Sequence, residues 1–472
     1  MYTTMIHPGE ELEAALSGAV IAPGNDHYDV ARKAWNLTVD QHPALIVLAM
    51  CAEDVTGAVR YARHAGLPVA VQATGHGMRR PADGALLINT TQMNGVNVNA
   101  LNRTAWIEAG AQWKKVLAAT QPFGLAPLLG SSPEVGAVGY TLGGGMGWLA
   151  RKYGMAADSV RYFEVVTPEG ELVRASQREN PDLFWALRGG GGGFGIVVGM
   201  EIDLYPVVTV YGGNLFYPIS VAGEVLRRFR TWIADMPEEM TAGVVLMNFP
   251  PLPQIPEPLR GQSVVMVRGC YAGEVTEGEA LVNAWRSWRT PMIDDFGAMP
   301  FSEVGTISSD PVDPVPGLST GAWLAQLSDA SIDLLIQYAK PGHGPSTITV
   351  TEIRQAGGAI ARADRRAGAY SHRDAQLSLQ LVSITPTPEA MVANKRYTDE
   401  LKAALAPDLT GGVYINFLDG EEALRRTRDA YSPANYQRLQ ALKNQIDPGD
   451  RFSFGFDIRP ASSPKPANGA WA

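Results

Sequence analysis

Two short stretches constrain any fold open to this chain: residues 136–147, GAVGYTLGGGMG, and residues 188–195, RGGGGGFG, with six glycines each. A glycine run costs backbone entropy on folding. Clusters this dense therefore mark places where the backbone approaches something closely or takes up positive φ. A ligand or another part of the chain has to fill the space that the missing side chains leave. The rest of the sequence can support such a site. With 46% hydrophobic and 18% charged residues over 472 positions, it can bury a large core, on the order of two to four structural units. Bulk disorder is excluded.

Charge narrows the partners. The formal net charge is −9, from 39 Lys and Arg against 48 Asp and Glu, and there is no clustered basic excess of the kind that captures a polyanion, so nucleic acid is not expected. Cys51 and Cys270 lie too far apart to suggest a metal knuckle or a redox C-x-x-C, and no metal site is expected; each reads as a buried small hydrophobe. Residues 1–18 lack the basic and apolar blocks of a secretory signal. No apolar run reaches the 18 or so residues of a membrane helix; even Ala44–Ala52 is cut off by Glu53 and Asp54. The expectation is a soluble, cytoplasmic protein with no membrane partner.

Hydrophobic periodicity predicts interleaved helices and strands up to about residue 205. Residues 43–71 read as strand, helix, strand, with Ala52, Val55, Ala58, Val59 and Ala62 at helical spacing behind Glu53 and Asp54. Residues 84–89 and 104–109 read as strands, residues 113–121 as a helix, and residues 160–166 with Leu172 and Val173 as a hairpin. From about 206 the texture changes to long aliphatic strands, Val264–Val267 and Ser346–Val350 among them, separated by proline-rich connections at 250–258 and 311–316. That predicts a second, sheet-containing domain. Near 412 the chain returns to Gly-Val-Tyr-Ile-Asn-Phe-Leu, then a polar helix over 435–445 and a stop at Asp447-Pro448-Gly449. The tail from Ala461, rich in Pro, Ser and Ala, reads as flexible. The fold class is α+β.

Chemistry enters at Thr74-Gly75-His76-Gly77, directly behind the strand Val69–Val71, where the histidine sits in a tight turn. A turn histidine without a role is the ordinary reading of that segment taken alone. Further on, Gly130-Ser131-Ser132-Pro133-Glu134-Val135-Gly136-Ala137-Val138-Gly139 leads into Gly143-Gly144-Gly145, a loop whose backbone amides can form an anion nest for a pyrophosphate. A Rossmann fingerprint is not met, because a proline-broken loop precedes the glycines where a strand is required. A glycine-rich packing junction stays open as the alternative.

Four ordered blocks together carry a resemblance. They are PALIVLAMCAEDVTGAVRYARHAGLPVAVQATGHG, GLAPLLGSSPEVGAVGYTLGGGMGWLARKYGMAADSV, PDLFWALRGGGGGFGIVVGMEIDLYPV, and VYINFLDG with NYQRLQALKNQIDPGDRF. Over nearly the whole chain the sequence resembles the berberine-bridge-enzyme-like group of FAD-linked oxidases, within the vanillyl-alcohol-oxidase superfamily. The resemblance implies a two-part PCMH-type FAD-binding domain made from both chain ends, residues 1–205 and 412–460. Between them, residues 206–411 would form an inserted α+β substrate domain containing an antiparallel sheet, with 461–472 as a tail. It implies that His76 forms the 8α-histidyl bond to the flavin, and that the cofactor is lined by Gln72, Thr74, Gly75, Gly77, Ser131, Ser132, Val135, Gly136, Gly139, Tyr140, Gly143, Gly145, Gly195, Val197, Tyr414 and Asn416. Ser132 stands where doubly linked members carry cysteine, so a single covalent link is expected, with the hydroxyl bonding the loop backbone.

The sequence also departs from that pattern. Gln72 stands where an arginine often precedes the Gly-Gly-His segment, Gly193 and Val198 replace an asparagine and a threonine, and Gly455 and Asp457 replace C-terminal asparagines. The family's Y-x-N-Y segment, often the source of the catalytic base, is Tyr414-Ile415-Asn416-Phe417 here, and Phe417 cannot titrate. Tyr414 and Asn416 either line the flavin or alternate along a core strand. Tyr414, Glu352 and His372, with Tyr370 and Asp374, are the candidate bases, each needing an environment-shifted pKa to work near neutrality. The implied reaction is hydride transfer from a small alcohol, amine or phenolic metabolite to FAD, with molecular oxygen as acceptor. The alternatives are a cyclisation or elimination scaffolded by the flavin with little net redox, and a ligand-binding protein without catalysis.

Overall fold

A computed structural model describes residues 9–340 and 348–460. The tail from Ala461 and the segment Ser346–Thr347 of one expected strand lie outside the described residues. Three sheets organise the chain. The first contains β1 (Ala19–Ile21), β2 (Leu45–Leu48), β3 (Val69–Gln72) and β4 (Leu86–Asn89) in the order β1-β2-β4-β3, with β2, β4 and β3 parallel. The helix Ala52–Ala65 joins β2 to β3 and ends on Gly66 at φ 68°, a left-handed cap that glycine adopts without strain. It buries Val55, Ala58, Val59 and Ala62 of the residues at helical spacing in the sequence, and Ala52 at its start is half-buried. The second sheet is antiparallel and contains β5 (Val96–Asn99), β6 (Thr104–Glu108), β7 (Val160–Val166), β8 (Leu172–Ser176) and β9 (Ile196–Asp203), in the order β5-β6-β9-β7-β8.

The third sheet has eight antiparallel strands. They are β10 (Thr209–Pro218), β11 (Met240–Asn248), β12 (Ser263–Tyr271), β13 (Ile293–Asp294), β14 (Gly297–Pro300), β15 (Gly317–Leu324), β16 (Val350–Gln355) and β17 (Leu377–Ile384). Their order is β13-β10-β12-β11-β16-β17-β15, with β14 also on β10. The strand expected over 346–350 in fact begins at Val350. Its two faces differ sharply. Leu215, Val244, Val267, Ile353 and Leu379 share one face and pack under the helices Ala222–Trp232, Asp329–Ala339 and Pro388–Ala404, in one apolar cluster. Alternate residues on the same strands, among them Arg268, Glu352, Arg354, Ser378 and Trp323, point the other way.

The C-terminal segment packs back on the first two sheets. The Val69 amide donates to the Arg451 carbonyl at 3.0 Å, and the helix Pro433–Ile446 lies on the helix Pro181–Leu187. Lys443, 1% exposed, donates to the Gly193 carbonyl at 2.8 Å and pairs with Asp447 at 2.7 Å, so one buried cation ties this helix to the second glycine cluster. Lys443→Met strands a buried carboxylate and is expected to destabilise the fold by about 3–5 kcal/mol, whereas Lys443→Met with Asp447→Leu recovers most of that loss. A thermal melt of wild type, single and double variants checks it.

Candidate functional site

The turn behind β3 is shaped by Gly75 at φ 80°, where a Cβ would lie 2.7 Å from Ala34 Cα and 2.8 Å from the Trp35 amide. Only glycine lets this backbone approach. The approach lays the Trp35 indole on the His76 imidazole, with ring centroids 4.3 Å apart and planes 15° from parallel. His76 Nδ1 lies 2.7 Å from Thr74 Oγ1, and Nε2 is buried without a hydrogen-bond partner. Burial pushes the imidazole down to about 4, so it is neutral near pH 7 and one of its nitrogens keeps an available lone pair. These residues open on a cavity of about 600 Å³ at the C-terminal ends of the first sheet's strands, where Trp35, Thr74, His76, Asn89 and Gln112 line it. That is the size and the place of a ligand crevice in a parallel sheet.

Other expected residues around this turn fall differently. Gln72 is buried on the cavity wall, and its amide is partly engaged within the protein: Nε2 donates to the Lys33 carbonyl and Oε1 accepts from Gln41 at 2.7 Å, which leaves one N–H and one lone pair. Gly77 is exposed, and Arg79 folds back over it. Sequence reasoning passed over Arg79, whose guanidinium stacks on the Phe456 ring at 3.8 Å with Nε buried and unpartnered. Burial pulls it down to about 10, against the charge of Asp419. A doubled arginine three residues after a turn histidine was the available signal.

The glycine clusters bring the C-terminal segment to the same region. A Cβ on Gly143 would lie 1.9 Å from Asn416 Oδ1, and one on Gly145 would lie 2.5 Å from the Tyr140 ring. With those Cβ atoms absent, Tyr414 and Asn416 reach the loop. Tyr414 Oη accepts from the amides of Gly145 and Met146, both at 3.0 Å, and from Asn416 Nδ2 at 3.1 Å; that same Nδ2 donates to the Tyr140 carbonyl. Three donors on one phenol oxygen favour its charged form. Burial works the other way and pushes the group up to about 12, against the Asn416, Met146 and Gly145 hydrogen bonds and the charge of Arg354. Tyr414 is extended, and Ile415–Phe417 is a single 3-10 turn, so this segment is not the alternating strand that one reading allowed.

Around Tyr414 stand Trp323, Tyr370 and Phe417, at centroid distances of 6.1, 6.2 and 4.8 Å. The Tyr140 and Tyr370 hydroxyls and the indole nitrogens of Trp148 and Trp323 are buried without partners.

Several expected residues do not join this group. Glu352 is buried and clamped: Arg268 Nε and Arg354 Nε reach Oε1 at 3.0 Å each, and Arg354 Nη2 reaches Oε2 at 3.0 Å. Burial opposes its ionisation, but the two arginine charges outweigh it and hold the carboxyl at about 2, which is wrong for a proton acceptor near neutrality. His372, at φ 58°, lies against Gly412 with Nε2 2.8 Å from the Asp429 carbonyl, and Asp374 is exposed. Ser131, Ser132 and Val135 are half-buried beside Gly136, and Ser132 Oγ accepts from the Glu134 amide at 3.4 Å. A Cβ on Gly139 would meet open space. In the second cluster a Cβ on Gly189, Gly190, Gly191 or Gly195 would strike Tyr370, Leu439, Phe456 or Val165 respectively, and Val197 is core. Packing against other parts of the chain accounts for these four glycines, whereas a Cβ on Gly192 or Gly193 would make only ordinary contacts.

A family model for an FAD binding domain matches residues 43–176, and one described as berberine and berberine like matches residues 413–458. Over 463 residues the chain is 28% identical to (R)-6-hydroxynicotine oxidase of Paenarthrobacter nicotinovorans, covering 95% of this chain and 98% of that one. It is 26% identical to chitooligosaccharide oxidase of Gibberella zeae, covering 93% and 92%. The crystal structure of 6-hydroxy-D-nicotine oxidase from Arthrobacter nicotinovorans matches with a TM-score of 0.83 at 25% identity, covering 94% and 98%. Physcomitrella patens BBE-like 1 matches in fold with a TM-score of 0.81 at 22% identity, covering 94% and 97%. Among the described residues, no helix is long and apolar enough to cross a membrane, and no group of three His, Cys, Asp or Glu is placed to hold a metal ion.

Proposed function

We propose, from the premise that this chain is a berberine-bridge-enzyme-like FAD-linked oxidoreductase, that it oxidises a small alcohol, amine or phenolic metabolite with Tyr414 as the proton acceptor and oxygen as the electron acceptor. FAD, when bound, supplies the hydride acceptor. The cofactor half is formed by residues 1–205 and 412–460 and the substrate half by 206–411, a division supported by the contacts of Arg451 and Lys443 with the N-terminal sheets.

The residues present fit FAD. His76 carries the single covalent attachment, supported by its neutral ring and the unpartnered Nε2 at the cavity wall. Thr74 fixes the ring's orientation through Nδ1, and Trp35 holds its plane. Ser132 bonds its own loop and forms no second link.

The observation that carries the catalytic reading is the convergence of Gly145, Met146 and Asn416 on Tyr414 Oη. These donors stabilise negative charge on that oxygen, so Tyr414 can take the proton of a substrate hydroxyl or amine as hydride leaves the adjacent carbon. Phe417, packed edge-on against Tyr414, keeps water from that side. Anaerobic mixing with a panel of small alcohols and amines tests the reading. Bleaching of the flavin band, followed on admitting air by its return with one hydrogen peroxide per turnover, is the expected result. Product formed with the flavin band unchanged would instead favour the scaffolded, non-redox reaction.

A further inference from the structure

The sheet face turned toward Tyr414 carries a charge arrangement that hydride transfer does not use. Cross-strand register places Arg268 on β12 opposite Gly243 on β11, Gly243 opposite Arg354 on β16, Arg354 opposite Ser378 on β17, and Ser378 opposite Trp323 on β15. Directly paired residues share a face, so the two arginines and Trp323 lie in one row. Gly243, in the middle, has no side chain. A Cβ there would sit 3.2 Å from Glu352 Oε1, and its absence lets Glu352 reach Arg268 across the intervening strand. Both guanidinium groups also lie over the Trp148 ring, Arg354 at 4.8 Å and Arg268 at 5.6 Å.

The cluster is one negative charge short. Arg268 and Arg354 are 4% and 3% exposed and share one carboxylate. Two cations against one anion leave a net single positive charge in a buried place, where charges are normally matched. The bonds to Glu352 use Nε and Nη2 of each arginine and leave each Nη1 outside that pairing. Asp310, whose charge acts on Arg354, is exposed and forms no ion pair with it among the described residues. Glu352 fixes both forks, so their remaining N–H groups are pre-oriented, and an arginine fork matches a carboxylate in shape as well as charge. Trp148 Nε1, in the ring under both guanidinium groups, and Trp323 Nε1 and the Tyr370 hydroxyl, whose rings neighbour Tyr414, are also buried without partners.

We infer that Arg268 and Arg354, bridged by Glu352, form an anion-binding subsite, and that the substrate carries a carboxylate or similar anionic group that docks there while its oxidisable carbon faces Tyr414. The inference rests on the oxidoreductase reading for what happens at that carbon. The subsite itself stands on the sheet alone.

Calorimetric titration of the full chain with acetate and benzoate, each against its neutral amide, tests it. The acids are expected to bind about tenfold or more tightly than acetamide and benzamide. Arg268→Gln and Arg354→Gln lower benzoate affinity by a similar factor and leave benzamide unchanged. Glu352→Gln raises the cluster's charge and tightens benzoate. Opposite signs from neighbouring variants do not arise from misfolding, which a thermal melt checks separately. Acids that bind no better than their amides, or a Glu352→Gln protein that melts normally and binds benzoate no tighter than wild type, overturn the subsite. The visible flavin spectrum separates this from the function: a yellow protein indifferent to acids loses only the subsite. A colourless one that binds acids with these signs loses the oxidoreductase reading and keeps the subsite.

Discussion

Alanine in place of His76 is expected to give a chain that, after acid denaturation, has the mass of the bare polypeptide and no yellow colour, whereas wild type denatured in the same way is expected to keep the mass of one FAD. The reason lies in the imidazole's surroundings. Desolvation holds it at about 4, so a protonated ring, which has no lone pair to form a bond, is scarce above about pH 5. The sign of the pH effect follows. Attachment to apoprotein supplied with FAD proceeds undiminished from pH 8 down to about 5 and fails only as the pH approaches 4. A solvent-exposed histidine would already lose half its reactive form near 6.5. Ser132→Ala leaves the single link intact, because that hydroxyl only serves its own loop. Thr74→Val slows attachment without abolishing it, since the ring loses the partner on Nδ1 that orients it. Mass spectrometry of the denatured variants decides all three; a His76→Ala chain still carrying FAD after denaturation would place the link elsewhere.

Phenylalanine at Tyr414 is expected to lower kcat by about 10²–10⁴-fold, the usual range for removing a positioned proton acceptor, with flavin content unchanged. On the proposed reading the working form is the phenolate. With the phenol held up to about 12 by burial against its three donors and the Arg354 charge, wild-type kcat is expected to rise with pH through the alkaline range, and Tyr414→Phe to lose that slope along with the rate. Gly143→Ala provides an independent check, because its Cβ would overlap Asn416 Oδ1. That displaces the amide that donates to Tyr414 and to the Tyr140 carbonyl. It should lower kcat and move the pH limb further alkaline while leaving the phenol in place. A Tyr414→Phe enzyme with undiminished kcat and the same pH slope would show that the proton goes elsewhere. In that case Tyr370, buried against Tyr414 with its hydroxyl unpartnered, is the next phenol to test.

Much of the local architecture could be read from spacing. The strand, helix and strand of residues 43–71, the hairpin at 160–176 and the C-terminal helix behind Ser432 depend on period and capping within a few residues, and they occur where those signals lie. The turn around His76 was legible for the same reason: a glycine on either side of a histidine, directly behind a strand, describes a local backbone path. The clusters of glycine also pointed correctly to crowded places. Their spacing could not say what crowds them. Asn416 lies 273 positions from Gly143 and Tyr370 lies 181 from Gly189, so the identity of the neighbour depends on how distant elements stack.

The same limit accounts for the candidate bases that the fold removes. In the sequence Glu352 is a carboxylate on a strand, equally able to be a base or a surface group. Its partner Arg268 is 84 residues away and two strands over, and only that register turns it into a permanently ionised anchor. His372 is a histidine near the right segment, but its positive φ and its bond to the Asp429 carbonyl turn it toward Gly412. The chain by itself therefore determined which segments are strands and helices, where the backbone must pass closely, and which family pattern it follows, since all of these are written in neighbouring residues. Tertiary structure alone decided which ionisable groups are matched and which are left one partner short. A buried charge takes its properties from whatever lies within a few ångströms, and those neighbours come from remote parts of the chain.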